Sequence, residues 1–237
     1  FSMQLMADNL TQTLNFTQPQ FKTQNNFTEI IYPNCHNFGP EGAPNMPHFA
    51  AEILLPPGHE LLSVEIQSVE YYSGSKKLKV APAGRQFPLS LKPEKPYVIK
   101  ANPKIYNQKG TYPGQPVANL TTQFIAGHAI GGFTFCPVKY FPAQDMAQFV
   151  KSVTLKITTE PTDAAQKSLD FLKDRTTARQ RIVNRVLNPS HIEHYAYNSA
   201  QRTSDIDILL ITNEALLPGF EDYIAYKTNT GFIVETQ

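Results

Sequence analysis

Along most of the chain, apolar residues arrive in short runs broken by polar positions. Val150, Val153, Leu155 and Ile157 lie close to every second residue, and so do Leu62, Val64, Ile66 and Val69, with one break in register. A period of two is the pattern of strands with one buried face, and the break predicts a bulge. TLNFTQ, NNFTEIIY, HFAAEILL, LLSVEIQSVEYY, LKVAPA, YVIKA, VANLTTQFI, GGFTFCPVKY and FVKSVTLKITT all read as strands. Between them stand PPGHE, SGSKK, PAGRQFP, LKPEKP and NQKGTYPG, rich in the residues that set turn geometry. So many short strands at this spacing predict a mainly β protein, a β-sandwich with jelly-roll or Greek-key crossings over residues 1–160.

The pattern changes at Pro161. TDAAQKSLDFLKDRTTARQRIVNRVLNP offers Thr162 and Asp163 as caps, near-helical spacing of Leu169, Leu172, Ile182, Val183 and Val186, and a stop at Asn188-Pro189. Lys173, Arg175, Arg179, Arg181 and Arg185 give it a basic side, read as a solvated face or as a docking surface for an acidic neighbour. The turn-rich SHIEHYAYNSAQRTSD then reads as exposed, so residues 161–203 are expected to form a helical linker. Residues 204–237 change character again. DILLIT is an almost wholly apolar strand, as in a sheet covered on both faces; a helix from about Pro218 to Thr228 follows, and Gly231 opens a second apolar run. A βαβ unit of this kind belongs to a parallel sheet of several strands, so it is expected to be the leading edge of a larger α/β domain.

Composition narrows the function classes. With 237 residues, 41% of them hydrophobic, there is material for a sizeable core. A net charge of +1 argues against broad electrostatic attraction to nucleic acid or a membrane surface. No run of about eighteen apolar residues is present to span a bilayer. The first residues lack a basic-then-apolar signal, although a signal already removed would leave no trace. Cys35 and Cys136 both sit in strand-like stretches, where two buried free thiols and a disulfide are both open.

Candidate chemistry is sparse. His191 and His194, in HIEH, would share a helix face, but no further ligands stand at zinc-site spacing, so no metal or other cofactor is expected. A Cys–His nucleophile pair could meet only in the fold; Cys136, between FTF and Pro137, reads as core. GHAIGG has glycines but no Lys-Ser/Thr and no following helix, so it is no phosphate loop. Sequons at Asn9, Asn15, Asn26 and Asn119 would mark surface loops in a secreted eukaryotic protein and mean nothing in a bacterial one. A glycan- or protein-binding adhesin module is the competing class, although the absence of Trp removes the usual sugar platform.

Three segments together resemble the precursors of gingipain-type cysteine peptidases, caspase-like secreted proteases of Bacteroidetes. They are GPEGAPNMPHFAAEILLPPGHELLSVEI, then LKVAPAGRQFP with PEKPYVIKANPKIYNQKGTYPGQPV, then GGFTFCPVKYFPAQDMAQFVKSVTLKITTE. The terminal DIDILLITNEALLPGFEDYIAYKTNTGFIVET is similar to the first strand, helix and second strand of that family's catalytic domain, with Tyr223, Tyr226, Lys227 and Gly231 at matching places. The family's catalytic histidine and cysteine lie further downstream, so no residue here takes a catalytic role and the chain alone should be inactive.

The resemblance implies an N-terminal propeptide that covers the cleft of its own peptidase domain, assists folding and is removed after export. The implied site is secreted or at the cell surface, reached through the periplasm, with secretion machinery as a further partner. Activation cleavage would fall at Arg202–Thr203, just before DILLIT. A basic residue offered to an acidic specificity pocket could be Lys109, Arg85, Lys76 or Lys77. AGHAIGG stands where arginine-specific relatives carry arginines, so a loop built on His128 is a further candidate.

Overall fold

The computed structural model describes residues 8–85, 99–172, 176–196 and 206–237. Contacts divide the chain into two units, Phe1–Ala196 and Tyr197–Gln237. In chain order the first unit has β1 (Asp8–Asn15), β2 (Gln20–Gln24), β3 (Phe27–Ile31), β4 (Cys35–Phe38), β5 (Met46–Leu54), β6 (His59–Tyr71) and β7 (Lys76–Lys77). After the short helix α1 (Pro103–Tyr106) come β8 (Val117–Ile125), β9 (His128–Phe135), β10 (Val138–Phe141) and β11 (Met146–Pro161), then helices α2 (Asp163–Ser168) and α3 (Thr176–Val183).

The long strand β11 organises the first sheet. β1 and β6 both pair with its later residues and so lie on opposite edges, while β10 and β7 pair with its first residues. The second sheet has the order β4-β5-β9-β8, all antiparallel. Alternation explains how the sheets face each other. Val153, Leu155 and Ile157 of β11 are buried, as are Ala51 and Ile53 of β5 and Phe133 and Phe135 of β9, and all belong to one apolar cluster between the sheets. Phe16 knits that cluster, stacking on Phe135 and meeting Tyr32 and Phe49 edge-on.

The predicted break in β6 is there, and it is not single. The β6–β11 register shifts between Val150 and Ser152, between Thr154 and Leu155, and between Thr158 and Thr159. These shifts leave Lys151, Gln67 and Leu62 without a partner opposite. They also let Phe149 and Val150, neighbours in sequence, both be buried. LKVAPA is not a strand of its own. Val80 and Pro82 make isolated bridges to Thr28 and Pro44, because Pro82 has no N–H to continue a ladder. Of YVIKA, Tyr97 and Val98 lie outside the described residues, and Ile99, Lys100 and Ala101 are irregular.

The helical segment is broken and docked, where a solvated linker was expected. Thr162 caps α2, its hydroxyl accepting from the Ala165 N–H at 3.1 Å. A 3-10 turn at Leu169–Phe171, helix α3 and a second 3-10 turn at Pro189–His194 follow. Leu54 stands opposite Ile130 in the second sheet, one residue out of phase with the inward Ile53, so both face outward, and both are buried. Ile182, Val186 and Ile192 are buried too, and the chain around them is bonded to Glu52 and Leu54. The result is three layers: sheet, sheet, helical strap. Of the predicted linker, residues 173–175 and 197–203 lie outside the described residues.

The second unit is small. β12 (Ile208–Leu210) pairs in parallel with β13 (Val234–Thr236), and a 3-10 turn at Leu217–Phe220 runs into helix α4 (Glu221–Asn229). The Lys227 ammonium lies 5.5 Å from the Tyr223 ring, 5.7 Å from Tyr226 and 5.2 Å from Phe232. Ile211 is 76% exposed, and Leu209, Leu216 and Tyr226 are exposed with it.

Candidate functional site

The best-presented basic residue is Lys109, and three tyrosines explain why. Asn102 starts α1: its side-chain oxygen accepts from the Lys104 N–H at 3.1 Å, and its own N–H donates to the Gly42 carbonyl at 2.8 Å. Pro103 suits the first turn, where no N–H is needed. At the helix end the Tyr106 ring is buried, and its hydroxyl donates to the Val80 carbonyl at 2.7 Å. The Val80 N–H in turn donates to the Tyr140 hydroxyl at 3.4 Å, and that hydroxyl donates to Asp145 at 3.2 Å. Tyr140, in β10, also exchanges backbone hydrogen bonds with Tyr112, at 2.8 and 3.1 Å. Residues 107–111 are therefore held at both ends by one buried cluster, with Lys109 exposed at the middle. Burial pushes the Tyr106 and Tyr140 phenols well above their ordinary range, so both stay protonated and able to donate.

The other candidates fare differently. Lys76 lies over the Phe21 ring, 4.1 Å from its centroid. Lys77 is exposed but sits in β7, in register with Met146, so its backbone belongs to a ladder. Arg85 is exposed beside residues 86–98, which lie outside the described residues. His128 cannot be offered to a partner: it is 0% exposed, its Nδ1 donates to the carbonyls of Ala126 and Ile125 at 2.9 and 3.2 Å, and its ring packs on Tyr195. The apolar residues around it pull the side chain inward, which corrects the expectation of a loop built on it. Arg202 and Thr203 lie outside the described residues.

Cys35 and Cys136 are free thiols, so the disulfide option falls. The register gives the reason: Cys35 stands opposite Phe49, and Phe49 opposite Phe135, the residue before Cys136, so β5 runs between β4 with Cys35 and the end of β9 that leads into Cys136. Two strand spacings amount to roughly 10 Å, beyond the reach of about 7 Å between bridged Cα atoms. Burial pushes the Cys136 thiol up to about 12 and the Cys35 thiol up to about 11, so neither is a ready nucleophile. His191 and His194 do approach, with ring centroids 5.0 Å apart, but no group of three metal-ligating residues occurs among the described residues.

Sequence reasoning missed the tyrosine clamp, Asn188 and Tyr195. The available signal was Tyr106 and Tyr112 bracketing NQKGT, a polar stretch between two aromatic anchors.

Solved structures share the fold. One, from Porphyromonas gingivalis, is titled a complex of RgpB pro- and mature domains; it matches with a TM-score of 0.60 and 14% identity, covering 77% of this chain and 92% of that one. Another, on the zymogenic latency of gingipain K from the same organism, matches with a TM-score of 0.54 and 16% identity, covering 68% of this chain and 96% of that one. No curated protein sequence matches. Nothing in these similarities supports an adhesin. The family model Propeptide_C25 matches residues 7–185, which takes in both sheets and helix α3, and the chain belongs to that family.

Proposed function

We propose that this propeptide keeps a gingipain-like cysteine endopeptidase latent, with residues 107–111 lying in the active-site cleft and Lys109 in its specificity pocket. The observation that carries this reading is the double anchorage of the loop by Tyr106 and Tyr112. A loop already fixed in its bound shape gives up little conformational entropy on docking, which strengthens binding. The same fixation holds the ends of a cut loop together, so cleavage is slow and religation favoured. A lysine ammonium facing an acidic pocket supplies the directional part. Removing one partner of such a desolvated pair costs about 2–5 kcal/mol, or about thirty-fold to several-thousand-fold in inhibition.

The second unit supports the same reading. Parallel strands are ordinarily covered on both faces, whereas β12 and β13 form a lone pair with exposed apolar residues. These features suit the opening of a caspase-like α/β domain that carries the peptide-bond chemistry. On this reading Arg202–Thr203 is the activation cleavage, and the precursor is exported through the periplasm of a Bacteroidetes cell with the help of secretion machinery. The test is inhibition in trans: purified segment 1–203 should inhibit the mature peptidase. Unchanged peptidase activity at micromolar propeptide would sink the proposal.

A further inference from the structure

The segment that leaves the sandwich is fastened to it, and the fastening holds the backbone of a run of arginines folded. β4 pairs with β5 only at Met46, Pro47, His48 and Phe49, which leaves the same edge of β5 open further along. Asn188 fills that edge as a strand residue would: the Leu54 N–H donates to its side-chain oxygen at 2.8 Å, and its Nδ2 donates to the Leu54 carbonyl at 2.9 Å. The Leu187 N–H donates to the Glu52 carbonyl at 2.9 Å, and Arg185 grips the Glu52 carboxylate at 2.5 and 2.6 Å. Beyond them Tyr195 is buried, its hydroxyl donating to the Leu55 carbonyl at 2.9 Å and accepting from the Ala129 N–H at 3.1 Å. Arg179, paired with Glu193 at 3.3 Å, and Arg181 lie on α3, upstream of all these contacts.

We propose that the segment from α3 to Tyr195 is a latched strap whose opening frees the backbone after Arg179, Arg181 and Arg185, side chains already at least partly exposed, as a cleavage region for a protease that cuts after basic residues. A protease takes its substrate extended over several residues, so α3 and the turn that follows it must unwind before these bonds are cut. When reclosing outpaces cutting, the rate follows the population of the open form. That population is set by the contacts at Glu52, Leu54, Leu55 and Ala129. The reaction is ordinary hydrolysis: the acyl C–N bond breaks, water gives its hydroxyl to the acyl carbon, and the leaving nitrogen takes a proton. The strap thereby gives the propeptide a point of irreversible disposal, governed by its own fold and separate from the loop at Lys109.

The test uses trypsin on the 237-residue chain, with mass spectrometry following cutting after each basic residue. Lys151 and Lys156 in β11 report unfolding of the sandwich itself. Tyr195→Phe and Asn188→Ala should each raise cutting at Arg179, Arg181 and Arg185 about tenfold, with the β11 lysines unchanged. No acceleration in the strap, or equal acceleration at Lys151 and Lys156, would overturn the proposal. Should either variant fail to fold, Glu52→Gln loosens the same latch without touching the buried hydroxyl or amide, and it must show the same site pattern. Failure of Lys109 to inhibit a peptidase would leave this result untouched, and the reverse also holds.

Discussion

The Tyr106 hydroxyl reaches the Val80 carbonyl at 2.7 Å, and Val80 lies between it and Tyr140. One buried residue, Val80, thus holds the start of the Lys109 loop through its carbonyl and, through its N–H and Tyr140, the loop's end at Tyr112. Tyr106→Phe keeps the ring and removes the donor, leaving the Val80 carbonyl buried without that bond. The expected cost is about 1–3 kcal/mol of stability, read from denaturant unfolding. Inhibition of the peptidase should weaken about tenfold as the loop loses its fixed shape. An unchanged inhibition constant would show that the clamp does not shape the loop.

Lys109→Ala separates presentation from folding. The side chain is exposed on a loop held from both ends, so unfolding stability should stay within about 0.5 kcal/mol of the parent. Inhibition should fall about thirty-fold or more. Lys77→Ala is the matched control, an exposed lysine whose backbone is committed to β7, and should leave inhibition unaltered. Equal losses from the two variants would point to bulk charge and reject a pocket for Lys109.

The cysteines give a prediction independent of function. With β5 between β4, which holds Cys35, and the end of β9, which leads into Cys136, the two cysteines cannot pair without rearranging the second sheet. Both thiols should react with a thiol reagent after denaturation without prior reduction, and a reducing agent should leave the melting temperature where it was. A drop of several degrees on reduction would reveal a bridge this fold does not allow.

Burial holds the His128 imidazole below its ordinary value, helped by Arg179 and opposed by its hydrogen bonds to Ile125 and Ala126. Burial lowers His48 and His191 as well. The folded chain therefore resists a proton that the unfolded chain accepts. The stability involved is complete above the ordinary histidine value of 6.5 and is lost as pH falls below it toward the folded values. Melting temperature should drop between about pH 7.5 and about pH 5.5, and the drop should shrink in His128→Gln, whose amide can still donate to the same carbonyls. Identical pH profiles for the two proteins would remove His128 from the account.

What could be read in advance follows from the range of the interactions. The alternation in β11 is local, and the inward Val153, Leu155 and Ile157 were visible in it; so was the cap at Thr162. The extra shifts in β6 were not, because they depend on which β11 residue stands opposite. Asn188 looked like a helix stop beside Pro189, whereas α3 already ends at Val183 and Asn188 precedes the 3-10 turn that starts at Pro189. Its role as a stand-in strand on Leu54 joins positions 134 residues apart and leaves no periodic trace. His128 misled for a related reason: in sequence it sits between small residues typical of an exposed turn, and only the docked strap with Tyr195 makes it core.

The same turn supplies a sharp steric test of the strap. Gly127 has φ +81°, and a Cβ built there would lie 2.6 Å from the Leu172 backbone nitrogen, a contact that cannot be relieved by turning a side chain. Gly74 has φ +82° and nothing within 4 Å of the equivalent position. Alanine at either site meets the same backbone penalty, about 1 kcal/mol, because the left-handed region disfavours a Cβ. Only Gly127→Ala adds the collision, expected to cost a further 1–3 kcal/mol or so by pushing the residues after α2 off the second sheet. The difference between the two variants therefore measures how tightly that part of the strap is seated. Gly127→Ala should also speed tryptic cutting at Arg181 and Arg185 while Gly74→Ala leaves it unchanged. Equal unfolding free energies for the two variants would mean that Leu172 yields freely and that the strap is held at its Tyr195 end alone.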